Sequence, residues 1–257
     1  MAIIIAVANQ KGGVGKTTTA VNLSASLAAA EHRTLLVDMD PQANACSGLG
    51  VNKKEVILTV YDVLLGEASV LDVIRTTDLQ QLDVLPSNTN LIGAEIELIE
   101  TPNRDQQLKL ALAAVSDNYE YIIIDCPPSL SLLTVNALCA ANSVLVPLQC
   151  EFYAMEGLGQ LMQTVRLVQQ ELNPQLELCG ILLTMFDGRN NLCHQVSNEI
   201  REHFGNKVFN VVVPRNVRLS EAPSYGQPVL LYDISSRGAQ AYMELARELL
   251  MGEVVHG

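Results

Sequence analysis

The chain has no C-x-x-C pair, no long uncharged apolar run and no excess of positive charge, and each absence narrows what its 257 residues can do. Its six cysteines (Cys46, Cys126, Cys139, Cys150, Cys179 and Cys193) are widely spaced in mostly apolar surroundings, which suits buried, reduced thiols and not a disulfide framework. Nowhere does the sequence approach the roughly 18 apolar residues of a membrane span. The first apolar run is short and lacks a basic flank, so it is no secretory leader, and the chain is expected in the cytoplasm. Lys and Arg number 16 against 28 Asp and Glu, a net charge of −12. That balance opposes constitutive binding to nucleic acid or to an anionic membrane, so any such contact must come from a local basic patch. Linkers, repeats and low-complexity tracts are also missing, and residues 1–257 read as a single domain.

What is present is an alternation of short apolar runs with longer helical patterns. It predicts an α/β fold: a doubly wound, mostly parallel sheet with helices on both faces. Strands are expected at Ile3–Ala8, Thr34–Val37, Leu82–Leu85, Tyr121–Ile124, Ser143–Val146, Leu178–Leu183 and Val208–Val212. Several lack polar alternation, which suits strands covered on both sides. Helices are expected at Lys16–Ala30, Asn90–Ile99, Gln106–Val115, Leu130–Ala141, Tyr153–Leu172, Leu192–Phe204 and Ala239–Met251. The pattern is least regular from Ala43 to Gln81, where only a short helix near Val60–Leu65 is expected. In such a sheet the chemistry belongs just beyond the carboxyl ends of the strands.

Directly after the first apolar run stands Lys11-Gly12-Gly13-Val14-Gly15-Lys16-Thr17, then Thr18 and a helical pattern. Gly12, Gly13 and Gly15 let the backbone curl so that successive N–H groups face phosphate oxygens. Lys16 would reach the β- and γ-phosphates, the Thr17 hydroxyl would ligate Mg²⁺, and the helix adds the favourable end of its dipole. Two departures from the general phosphate loop matter: Gln10 stands where a glycine is usual, and Lys11 is an additional cation. The second strand ends in Asp38-Met39-Asp40-Pro41. Asp40 is placed to orient or deprotonate an attacking water, and Asp38 to ligate magnesium through water. The strand Tyr121–Ile124 ends in Asp125, which fits the magnesium-side acid of such an enzyme. Lys11 is either an exposed lysine beside the loop or a charge supplied in trans. In the second case two subunits face each other across their nucleotides and each Lys11 reaches the other's phosphates.

These residues resemble the deviant-Walker ATPases that include ParA, MinD and the nitrogenase iron protein. Further segments are similar to the ParA/Soj branch: Gly48-Leu49-Gly50, Gly93-Ala94-Glu95-Ile96-Glu97, Gln149-Cys150-Glu151-Phe152-Tyr153-Ala154, and the run from Pro214 through Arg218 to Pro223. The resemblance runs nearly end to end. It implies an ATP-dependent homodimer in which Lys11 contacts the partner's nucleotide, and hydrolysis that requires Asp40. It also implies binding to double-stranded DNA without sequence preference, association with the nucleoid, and stimulation by a ParB-type partner. Arg189 and Arg218, with Arg215 as a weaker candidate, match the DNA-contacting arginines, while Pro214 and Asn216 fall where the family holds adenine. Family members often place an Asn near Met185, and this chain does not.

Composition supports the DNA reading only through dimerisation. From Phe186 to Arg237 there are six basic residues and five acids, so a single subunit offers a poor patch and two copies double the phosphate contacts. A MinD-like membrane role is disfavoured because the tail from Glu244 to Gly257 is acidic and short of lysine. An electron-transfer role lacks cluster-forming cysteine spacing. A positioning ATPase for a protein cargo stays open as the alternative. The chain shows no helix-turn-helix arm ahead of Met1, so reading of a specific operator is not expected.

Overall fold

Uninterrupted β-branched and leucine-rich runs require cover on both faces, and the chain supplies it. The computed structural model describes residues 1–52 and 55–256. Eight strands form one sheet: β1 (Ile3–Val7), β2 (Thr34–Asp38), β3 (Arg75–Thr76), β4 (Leu82–Leu85), β5 (Tyr121–Asp125), β6 (Ser143–Gln149), β7 (Glu177–Phe186) and β8 (Val208–Pro214). Their order is β3-β4-β2-β5-β1-β6-β7-β8, and every pairing is parallel except that of β3 with β4. The central strands send alternate apolar side chains into two separate cores. Ile122 and Ile124 of β5 enter one, with the helices Leu91–Glu97, Leu132–Ala140 and Ala154–Glu171. Tyr121 and Ile123 enter the other, with the helices Lys16–Ala29 and Arg237–His256. Period-two alternation is thus present, but both sides are apolar, so it is invisible in a polar/apolar reading.

The expected strands and long helices are found, with ends shifted by a few residues. Strands β7 and β8 run on to Phe186 and Pro214, which pair with each other, and so carry two loops further out than expected. The C-terminal helix begins at Arg237, two residues earlier than expected, and runs on to His256; Gly257, the end of the acidic tail, lies outside the described residues. The short helix at Val60–Leu64 is fixed by a capping box, in which the Thr59 side chain and Asp62 exchange bonds with each other's backbone. Strand β3 and the helices Asn44–Gly48, Val70–Val73, Val217–Glu221 and Val229–Tyr232 were not expected. They are two to five residues long and hold too little periodicity to be read. Two of the turns around them meet backbone to backbone. Gly50 (φ +77°) and Gly226 (φ +65°) sit so close that a Cβ on Gly226 would lie 2.8 Å from Gly50 Cα. Only glycine suits both the left-handed backbone and that approach.

Candidate active site

Register at the sheet centre assembles the site. Val7 of β1 and Asp38 of β2 both stand opposite Asp125 of β5, so the phosphate loop and the acidic strand ends converge at one edge. Asn9 ties down the loop entrance: its amide donates to the Pro147 carbonyl (2.7 Å), and its Oδ1 accepts the Lys11 N–H (3.0 Å). Thr184, on β7, donates its hydroxyl to the Val14 carbonyl (2.8 Å). Gly13 (φ +75°) and Gly15 (φ +89°) adopt left-handed backbone, and Gly15 caps the helix that starts at Lys16. The loop is therefore held from three strands in a curled form before any anion arrives. Lys16 is buried and donates from Nζ to the Lys11 carbonyl at 3.0 Å. Burial pushes its pKa down, while the charges of Asp125 and Asp40 oppose that shift.

The three acids have different environments. Asp38 is fully buried, and its two oxygens accept the N–H groups of Asp40 (3.1 Å) and Cys46 (3.0 Å). Burial nevertheless raises its pKa to about 6. Asp40 lines the cleft; its Oδ1 accepts the Gln42 N–H (2.9 Å), and its carbonyl takes the Ser87 hydroxyl (2.9 Å). The carboxylate is thereby aimed from a rigid turn. Asp125 is fully buried, and neither of its oxygens has a hydrogen-bond partner of good geometry. Burial, then the charge of Asp38, pushes its pKa well up, with the Thr17 hydroxyl and Lys16 pulling the other way. A buried carboxylate next to Lys16 and Thr17, without a well-aligned hydrogen bond, is costly unless a proton or a cation meets it. The donor set, a carboxylate and a hydroxyl, suits Mg²⁺, which keeps water and phosphate as its remaining ligands. The residues fit that ion.

A cleft of about 550 Å³ opens beyond the loop. Gly12, Gly13, Gly15, Lys16, Thr17 and Thr18 line it, together with Pro214, Arg215 and Asn216. Asn216 also caps the helix Val217–Glu221 by accepting the Arg218 N–H (2.8 Å). Met185 lines the same cleft with a left-handed backbone (φ +48°), where an Asn would be less strained. Thr184, Gln42, Asn44 and Tyr242 also line the cleft and were missed in the sequence. Thr184 was within reach of the strand-end rule; Tyr242, from the C-terminal helix, gave no signal.

The remaining cations follow neighbouring strand ends. The Lys11 ammonium, half-exposed, is paired with the carboxylate of Glu151 just past β6. Arg189 follows β7 and pairs with Asp187; Arg218 follows β8 and pairs with Glu221 and Asp233. Arg215 differs from both: it lines the cleft, and its N–H donates to the Phe186 carbonyl (3.2 Å). Among the described residues no helix is long and apolar enough to cross a membrane.

Residues 2–178 match the family model described as an AAA domain. The chromosome partitioning protein ParA of Myxococcus xanthus is 58% identical over 247 residues, covering 96% of this chain and 87% of that protein. The sporulation initiation inhibitor protein Soj of Bacillus subtilis is 59% identical over 249 residues, covering 97% and 98%. Among solved structures, a cobyrinic acid a,c-diamide synthase from Mycobacterium smegmatis, with bound ADP and magnesium, superposes with a TM-score of 0.86. It is 39% identical, with 97% of this chain and 94% of that one covered.

Proposed function

The chain belongs to the ParA/Soj family of chromosome-partitioning ATPases, and on that premise we propose that it hydrolyses ATP as half of a nucleotide-sandwiched homodimer that holds DNA and lets go after hydrolysis. The observation that carries this reading is the bare carboxylate of Asp125 beside a pre-curled phosphate loop. In it, the loop N–H groups from Gly12 to Thr18 bind the phosphates, and Pro214 and Asn216 flank the base. Lys16 moves its ammonium from the Lys11 carbonyl to the β- and γ-phosphates, which replace a neutral acceptor by an anionic one. Thr17 and Asp125, with Asp38 behind an intervening water, would hold Mg²⁺, which when bound neutralises charge on the phosphate oxygens.

Asp40 orients the attacking water and takes up its proton, a role that suits a carboxylate fixed at the cleft wall. Lys11 leaves Glu151 for the phosphates of the second copy, so the site is complete only in the dimer. Pairing two copies also brings Arg189 and Arg218 of each, with Arg215 nearby, toward one duplex, and a ParB-type partner accelerates turnover. The cell compartment that follows is the cytoplasm, at the nucleoid.

Co-sedimentation with DNA tests the cycle in the presence of ATP, ADP or no nucleotide, at two salt concentrations. Retention is expected only with ATP, and less of it at high salt. Lys11→Ala should bind ATP yet fail to dimerise or be stimulated; a variant that dimerises and hydrolyses like the parent removes the trans role.

A further inference from the structure

Arg189 and Arg218, the two leading arginines of the DNA assignment, already bind carboxylates of their own chain. Arg189 donates from Nε and Nη2 to the two oxygens of Asp187, at 3.0 and 2.9 Å, the two-pronged geometry that a phosphate would use. Arg218 donates from Nη1 to Glu221 (2.8 Å) and from Nε to Asp233 (3.2 Å), and its guanidinium lies 5.9 Å from the centre of the Tyr232 ring.

The acids are the anchored members of these pairs. Asp187 Oδ1 also accepts the Arg189 N–H (3.1 Å), Glu221 accepts the Tyr232 hydroxyl (3.2 Å), and Asp233 Oδ1 accepts both the N–H (3.1 Å) and hydroxyl (2.7 Å) of Ser235. Their side chains are 30%, 39% and 27% exposed, against 91% for Arg189 and 46% for Arg218. Arg189 is therefore free to swing while Asp187 stays, and Arg218 can exchange its carboxylate partners for a phosphate without its acids moving. Exposed ion pairs of this kind are weak, so a phosphate can displace the carboxylate.

We propose that Asp187 and the Glu221–Asp233 pair are built-in competitors for backbone phosphate. They occupy the arginines in the unbound chain and set how loosely it holds duplex DNA. The proposal rests on the assignment of Arg189 and Arg218 to DNA. Because each acid remains beside the contact after exchange, it also repels the incoming phosphate and cancels part of the counterion release that drives binding. A patch of two such arginines and three acids therefore grips only when two copies act together, and releases readily when they part.

The test uses the full chain with ATP and a fluorescently labelled duplex of random sequence, with anisotropy read over a salt series. The variants are Asp187→Asn, the double variant Glu221→Gln with Asp233→Asn, Arg189→Glu and Arg218→Glu, each checked by circular dichroism. The acid variants should bind the duplex several-fold to about tenfold more tightly, with a log–log salt slope steeper by up to about one per neutralised contact. Two independent acid sites keep the test decisive if one variant folds poorly. Unchanged or weaker binding by both acid variants, while the arginine variants lose binding, overturns the competitor role. Arginine variants that bind like the parent overturn the DNA assignment and the proposal together.

Discussion

At the scale of residues, three carboxylates of one chemical type are given three environments by the fold. Asp38 spends its oxygens on backbone N–H groups, Asp40 is aimed into the cleft, and Asp125 is left bare. In Asp40→Ala, hydrolysis should fall by about 10²- to 10⁴-fold, the usual reach of acid–base groups, while ATP-dependent DNA retention persists. Phosphate release and co-sedimentation read the two separately; normal turnover would remove Asp40 from the machinery. Much of this centre was legible in the chain because a strand, a glycine-rich loop with its lysine and strand-end aspartates occur together; alone, a strand-end aspartate such as Asp125 says little. Their counter-charges were not. Glu151 lies 140 residues from Lys11, and Asp233 lies fifteen from Arg218, so only folding shows that they touch.

Elements were legible in proportion to their length. Runs such as Tyr121–Ile124 declare a buried strand, whereas the five residues of Val217–Glu221 declare nothing, although they set the direction of Arg218. The same holds for the turns that carry Gly50 and Gly226. Their contact joins the segment behind Asp38–Asp40 to the segment behind Arg218, two parts of the site with no neighbouring strand in common. Gly226→Ala should therefore cost about 1–3 kcal/mol, from the left-handed backbone and from the 2.8 Å approach. The midpoint of urea unfolding measures it, and an unchanged midpoint would show that the turns part freely. An alanine at Gly157, which meets nothing within 4 Å, serves as the control.

Over the whole molecule, order in the sheet brings every predicted site residue to one edge, and that much followed from the alternation of runs and helical patterns. The charge buried at the centre links stability to pH. Asp38 has a folded pKa near 6, above its ordinary value, and Asp125 is shifted in the same direction. For such groups the stabilising protonated form is fully present below the ordinary carboxylate pKa and is lost as pH rises through the folded value. The ligand-free chain should thus lose stability as pH rises from 4 to 7. Magnesium with a non-hydrolysable ATP analogue should restore it, raising the melting temperature more at pH 7.5 than at pH 5. Equal rises at both pH values would contradict this linkage. The carboxylate of Asp125 then has a consequence for turnover: in limited proteolysis the protein should be cut more slowly once magnesium and the ATP analogue are added.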